Sequence, residues 1–358
     1  MDGASGDPVP KLVVGTDFSG LDGVIWMLHK LGVPHLHAFS SDSDRNVRKF
    51  LAHHHMPMEI YEDVRDRAAK DTPPVDLYVL GPPCVGHSKA GSRMKSGDDR
   101  GALWLCGLVY IQKHKPSMII FENVPDFEKD EIAWGTIMRT LEPHYKVSHK
   151  VMSTHKLGVP QQRNRLYLIA IKRSRQSRKF IFPEDIGEHK PLESFLGRCR
   201  RVALFPKPAD KPTSKPQVVE KMQAAVVAAY EKVVSQGVNP CTSPVCIDLG
   251  NSDKFGKTIT VGRVNTLTKS HCERFEYFVS TYGFLNLSDF IRLSGYDPNM
   301  MDFVKAGVAP RAAAAMLGNC MSGNMLLLLL PAVLHAGGII NDTELVRMSK
   351  QAREDLHA

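Results

Sequence analysis

The sequence predicts an α/β fold: a doubly wound, mostly parallel seven-stranded sheet with a smaller, irregular domain set into it. Two observations carry this. Short β-rich apolar runs alternate with helix-length segments from residue 11 to residue 171, the pattern of repeated βα units. The runs are apolar along their length, as in strands covered on both faces, and turns bearing glycine, proline or acid follow them. Such turns collect at the sheet edge where open α/β folds place their ligands.

Lys11 to Gly15 is the first run. It leads into Thr16-Asp17-Phe18-Ser19-Gly20-Leu21-Asp22-Gly23, and then into Val24, Ile25, Leu28 and Leu31 at helical spacing. Strand, glycine-bearing turn and helix bring backbone close to a nucleoside cofactor, although many such turns only close a βα unit. Leu36 to Ser40 is the second run and ends at Asp42-Ser43-Asp44. A carboxylate there can accept from ribose hydroxyls or cap the helix expected from Arg45 to His53. Met58 to Val64 reads as a third strand ending in acid, and Asp76 to Leu80 as a fourth. The fourth delivers Gly81-Pro82-Pro83-Cys84-Val85-Gly86-His87-Ser88. Two prolines fix the backbone there, and the first side chain after them is a thiol. On this stretch alone Cys84 is either a nucleophile or a small packed hydrophobe.

A helix is expected from about Ala102 to His114, and Ser117 to Phe121 is the fifth run. It brings Glu122-Asn123-Val124-Pro125 to the same edge as Cys84, where a carboxylate beside a core strand needs a partner or a task. Tyr145 to Met152 and Arg165 to Ile171 complete the seven, with Gly158-Val159-Pro160-Gln161-Gln162-Arg163-Asn164 between them. Arg163 and Arg165, at alternate positions entering a strand, share one face and form a planar donor array.

After Ile171 the character changes. Residues 172–216 hold 12 Lys/Arg against 5 Asp/Glu, an excess of 7 in a chain whose net charge is +8. The segment is proline-punctuated and reads either as a solvated linker or as a surface that follows a nucleic-acid backbone. Gln217 to Gln236 is an amphipathic helix, residues 259–287 are rich in strand and loop, and Asp289 to Tyr296 is a short helix with a glycine stop. Ala312 to Leu317 leads into Gly318-Asn319-Cys320, and a helix follows from about Met321 to His335. The tail after Asn341 is expected to be an exposed helix or frayed.

Composition narrows the class. A chain of 358 residues with 43% hydrophobic and 23% charged content can bury a sizeable core. Seven cysteines without framework spacing point to thiols in a reducing compartment. The N-terminus lacks the features of a signal or transit peptide, and the apolar run ending at Leu330 is too short to span a bilayer. No metal is expected. His53-His54-His55 point in different directions from a helix, and Cys241 and Cys246 have no second pair.

Together these residues resemble the DNA cytosine-5-methyltransferase family, in the family's motif order over nearly the whole chain. Asp17 to Gly23 looks like the cofactor turn, Pro82 to Ser88 the nucleophile loop and Glu122-Asn123-Val124 the catalytic glutamate motif. Gln161 to Arg165 is similar to the paired-arginine motif, and Gly318-Asn319-Cys320 to the last motif. The resemblance implies the class I S-adenosylmethionine-dependent methyltransferase fold. It divides the chain into a catalytic and cofactor domain over 1–172, a target-recognition domain over 173–298, a return over 299–345 and a tail over 346–358. It implies Cys84, Glu122, Arg163 and Arg165 as catalytic residues. It implies Phe18, Ser19, Gly20, Leu21, Asp42, Asp63, Pro83, Leu103 and Asn319 as contacts to S-adenosyl-L-methionine, whose product is S-adenosyl-L-homocysteine. The partner implied is duplex DNA with the target base flipped out, bound by an intracellular monomer, nuclear in a eukaryote and cytoplasmic in a prokaryote.

The chain departs from the family at several positions. Asp22 stands where the family has Gly, Thr16 where it has an acid, and Val85-Gly86-His87 where it has Gln-x-Phe. Gly283, Asn286 and Asp289 stand for Arg, Thr and Glu. Two other readings stay open: the same chemistry on tRNA, whose branch carries a Cys-Phe-Thr signature not found here, and an inactive nucleic-acid-binding relative.

Overall fold

The computed structural model describes residues 12–69, 71–83, 103–186, 190–197, 204–207, 215–251 and 256–357. Cys84 to Ser88 lie outside the described residues.

The catalytic body begins β1 (Val13–Asp17), α1 (Gly23–Lys30), β2 (Leu36–Ser41), α2 (Arg45–His54), β3 (Glu59–Tyr61), α3 (Val64–Ala69) and β4 (Leu77–Leu80). It continues α4 (Trp104–His114), β5 (Met118–Asn123), α5 (Glu131–Leu141), β6 (Tyr145–Ser153), β7 (Gln161–Gln162) and β8 (Asn164–Lys172). Seven of these strands form one sheet in the order β3-β2-β1-β4-β5-β8-β6. All neighbours are parallel except β8, which runs antiparallel to both β5 and β6. The winding reverses between β1 and β4, which opens a crevice at their C-terminal ends.

The apolar runs of the central strands are buried on both faces, as all-apolar patterning requires. Val14, Leu77, Val79, Ile120 and Ile169 pack into one core with α1, while Tyr78, Leu80, Ile119 and Leu168 pack into another with α4 and α5. Each such aliphatic side chain stabilises by about 1.5–3 kcal/mol relative to exposure. β3 is shorter than its apolar run, ending at Tyr61, because Asp63 accepts from the Arg65 amide at 2.8 Å and starts α3 instead. The histidines after Phe50 are packing groups. His55 donates from Nε2 to the Leu21 carbonyl, 3.0 Å away, and stacks edge-on to Trp26.

The smaller domain contains α6 (Pro216–Val234), β9 (Val245–Asp248), β10 (Thr258–Val261), β11 (Val264–Asn265), α7 (Lys269–Glu273), β12 (Tyr277–Val279), β13 (Gly283–Phe284) and α8 (Leu287–Leu293). It is more regular than its sequence suggests. β10-β9-β12-β13 form an antiparallel sheet, and Val226, Ala229, Tyr230 and Val233 of α6 bury against Val245, Ile247 and Phe278. β11 pairs in parallel with β7 of the catalytic body, which joins the two units. Asn286 and Asp289 form a reciprocal capping box at the start of α8. The buried Asp289 also accepts from the Gly197 amide and from Arg292, so this departure from the family still ties the domain together.

Residues 173–186 lie along the catalytic body: the Ser177 amide donates to the Ala336 carbonyl and the Ile186 amide to the Lys156 carbonyl. The chain then returns as α9 (Pro310–Asn319), α10 (Gly323–Ala336) and α11 (Asp342–His357). The tail is not frayed. Met348 and Ala352 of α11 are buried against the main core, and Gln351 donates to the Lys30 carbonyl at 2.8 Å.

Candidate active site

A cavity lies at the β1–β4 crevice, walled by Thr16 to Val24, Gly81, Glu122, Asn319, Cys320 and Met321. Three turns from separate parts of the chain therefore meet there. The first is strained: Phe18, Gly20 and Asp22 all have positive φ, at 54°, 54° and 48°. Gly20 meets this requirement without cost, and a Cβ there would touch nothing within 4 Å, so its backbone faces open space. At Gly81 a Cβ would stand 2.9 Å from Met321 and 3.5 Å from a Glu122 carboxylate oxygen, so glycine leaves room for that acid.

Buried carboxylates hold the first turn from beneath. Asp17, 1% exposed, accepts from Arg67 at 2.6 Å and from the Tyr78 hydroxyl, and Arg67 lies over the Tyr110 ring. Burial pushes the Asp17 carboxyl up from its ordinary value, while Arg67 pulls it down. Asp22, 2% exposed, accepts from the Ser40 hydroxyl at 2.6 Å, and His37 lies 3.4 Å away. Burial pushes Asp22 up to about 7 and His37 down to about 3, so both favour their neutral forms. Asp42 accepts from the Gly20 amide at 3.0 Å and the Asp44 amide at 2.9 Å, while Asp44 caps α2. Of the two acids that sequence left ambiguous, Asp44 takes the cap and Asp42 the backbone amides.

On the other wall, Glu122 is paired in register with Tyr167 and lies 3.2 Å from Nε of Arg165. Its side chain is 12% exposed. Burial pushes the Glu122 carboxyl up, opposed by Arg165 and then Arg163. The expected planar array of two arginines does not form. Arg163, 4% exposed, donates to the carbonyls of Leu267 at 3.0 Å, Gly318 at 3.3 Å and Cys320 at 2.7 Å. Its guanidinium fastens the smaller domain to the end of α9, and Arg165 alone of the pair reaches Glu122.

Of the sequence-derived candidates, Phe18, Ser19, Gly20, Leu21, Glu122 and Asn319 line the one cavity, and Asp42 supports it through Gly20. Asp63, Pro83 and Leu103 are not among its lining residues. Asp63 is instead clasped by Arg65 at 2.6 Å, which holds its carboxyl below the ordinary value. Cys84 lies outside the described residues. Sequence reasoning missed Arg67, Tyr78, Ser40 and His37 as supports of the turn. The charge of Asp17 at the tip of an apolar run was the only available signal, since its partners stand 50 and 61 positions away.

The fold, with its β1–β4 crevice and one antiparallel strand, is that of class I methyltransferases. The model of the family described as C-5 cytosine-specific DNA methylase matches residues 17–326, and the chain belongs to that family. Among characterised relatives, it is 28% identical over 188 residues to type II methyltransferase M.NgoBI of Neisseria gonorrhoeae, covering 52% of this chain and 57% of that one. It is 30% identical over 169 residues to orphan methyltransferase M.SPRI of Bacillus phage SPR, covering 45% and 38%. The chain spans about half the length of the curated relatives it matches. Among solved structures, Dnmt2 methyltransferase of S. pombe superposes with a TM-score of 0.60 at 18% identity, covering 90% of this chain and 98% of that one. A putative DNA modification methyltransferase from an E. coli prophage gives 0.54 at 17%, covering 86% and 98%. These last two likenesses are of fold.

Proposed function

We propose that the chain methylates C5 of cytosine in DNA, using S-adenosyl-L-methionine and a transient bond from Cys84 to C6 of a base turned out of the duplex. The observation that carries this reading is the meeting of Glu122 and the β1 turn at one cavity, with Arg165 set against Glu122. The cavity suits that cofactor. Asp17 and Asp22 each keep a buried oxygen without a hydrogen bond beneath a backbone that is open at Gly20, so unsatisfied acceptors stand behind the place for a cation. Phe18, Ser19, Gly20, Leu21 and Asn319 would hold it, with Asp42 behind Gly20 and with Asp63, Pro83 and Leu103 as further contacts. S-adenosyl-L-methionine supplies an electrophilic methyl group on a sulfonium sulfur.

Cytosine C5 is a poor nucleophile until a group adds to C6. The thiolate of Cys84 makes that bond, and electron density moves to C5 and N3. Glu122, whose carboxyl burial pushes up from its ordinary value, donates its proton at N3, and Arg165 holds Glu122 while donating to O2. Once C5 carries the methyl group, a base takes the C5 proton, the C6–S bond breaks to release the Cys84 thiolate, and the N3 proton returns to the Glu122 carboxylate, which restores the ring. A stacked base cannot reach the cavity, so it leaves the duplex first.

The test is transfer of labelled methyl from S-adenosyl-L-methionine to duplex DNA and, separately, to tRNA. Wild type labels DNA and Cys84→Ala does not. Labelling of tRNA alone ends the DNA reading, and full activity of Cys84→Ala ends the covalent route. Nucleic-acid binding without any transfer identifies an inactive relative.

A further inference from the structure

The densest basic run in the chain lies at the edge of the sheet opposite the catalytic cavity. Lys172, Arg173, Arg175, Arg178 and Lys179 fall within eight consecutive residues that contain no acid. β8 begins beside Glu122 and runs antiparallel to β5, so Lys172 emerges at the far edge, paired with Tyr145. Seven residues of strand separate Arg165 from Lys172, roughly 23 Å at about 3.3 Å per residue. A duplex engaged at the cavity meets the other edge, with the sheet between.

The fold concentrates this charge. The Lys172 ammonium donates to the Lys115 carbonyl at 3.2 Å, the Arg173 guanidinium to the Glu142 carbonyl at 3.0 and 3.2 Å, and the Arg173 amide to the His144 carbonyl. A groove results, lined by Lys146, Arg173, Arg178 and Lys179 with Ser148 and Gln176 as neutral donors. Its one acidic lining residue is Glu142. Arg178 pairs with Asp342 at 3.1 Å. Among the described residues, Lys115, Lys146, Lys172, Arg173, Arg175 and Lys179 have no carboxylate partner. A solvated linker would spread its charges. Here Lys115 and Lys146, distant in sequence, are folded against the run, and like charges within a Debye length of about 10 Å repel at a cost to stability.

We propose that this groove is a second DNA-binding surface, which takes the phosphate backbone of duplex lying outside the segment in the catalytic cavity. Lysine and arginine beside serine and glutamine donors form the set that contacts phosphate without reading sequence. The proposal rests on the reading of DNA as substrate and extends it to a site that positions the polymer.

The test compares the full chain with the triple variant Lys146→Ser, Arg175→Ser, Lys179→Ser. All three side chains are exposed and none lines the catalytic cavity. Affinity for a duplex of about 40 base pairs is measured by fluorescence anisotropy over about 50 to 200 mM salt, where each phosphate contact adds about 0.9 to the slope of log K against log salt. The slope falls by about 2.7 in the variant if all three cations contact phosphate. Thermal melting and turnover on a duplex too short to reach the groove stay as in wild type. An unchanged slope overturns the proposal, and so does a loss confined to tRNA with duplex binding intact. Methyl transfer by wild type is scored separately: its absence ends the substrate reading, whereas loss of the slope difference ends the assignment of the groove.

Discussion

On the β1 side of the cavity three carboxylates, Asp17, Asp22 and Asp42, stand under one short turn, each bonded to groups from other elements. On the β5 side a single carboxylate, Glu122, meets one arginine at 3.2 Å. The first wall is fixed before any ligand arrives, because the turn carries two left-handed non-glycine residues, Phe18 and Asp22, over a dense polar support. The second wall holds its acid by fewer contacts, which suits the proton exchange proposed for it. On the proposed reading, rigidity sits where the cofactor would be held and freedom where the proton would move.

The largest expected effect breaks the rigid wall. Arg67→Met leaves Asp17 as an uncompensated buried charge and lowers unfolding free energy by about 3–5 kcal/mol, read from the denaturant midpoint. Replacing both members, Asp17→Leu with Arg67→Met, restores most of the loss. A double variant as unstable as the single one contradicts the pairing.

Next in size is Asp22→Asn. The Asp22 carboxyl is pushed from 3.8 up to about 7, so folding favours its neutral form. Its contribution is complete below about pH 4 and is lost as pH rises through 7. The amide variant stays neutral throughout. It should match wild type near pH 4 and exceed it by about 2–4 kcal/mol at pH 8, measured by unfolding at both values. Equal pH dependence in the two proteins removes Asp22 from the account.

The looser wall is probed by Arg165→Lys, which removes the planar fork but keeps the charge. Turnover falls by about a hundredfold, roughly 2.7 kcal/mol, while cofactor affinity and melting temperature hold. A matching loss of cofactor affinity shows that the two walls are not independent. The smallest effect is expected at Asp63, whose carboxylate is engaged by the exposed Arg65. Asp63→Ala weakens cofactor binding by less than about tenfold and changes stability by at most ~1 kcal/mol.

The seven strands along the chain and the turns at their ends could be read from sequence because both depend on local signals, namely apolar runs and residues that end them. Arg163 and Arg165 show where that reading stops. Period-2 spacing places both on one face, but the carbonyls of Leu267, Gly318 and Cys320 that take Arg163 come from 104 to 157 positions away. Asp22 was visible as a residue out of place, yet its partner Ser40 lies on β2, and only the pairing of β1 with β2 brings them together. The smaller domain's strands were read only as a strand-rich stretch, and their pairing was hidden for a different reason. β13 has two residues and β12 three, too few for any alternation to register.

The central claim, that Glu122 supplies the proton for methylation of cytosine in DNA, is tested most directly by bisulfite sequencing of DNA from cells expressing wild type or Glu122→Gln at equal levels. The amide keeps size and hydrogen bonding but has no acidic proton to give. The account predicts 5-methylcytosine in a defined sequence context with wild type, and a loss of about 10²–10⁴-fold in its rate of appearance with the variant. Unmodified DNA from the wild-type culture, or equal methylation by both proteins, contradicts it.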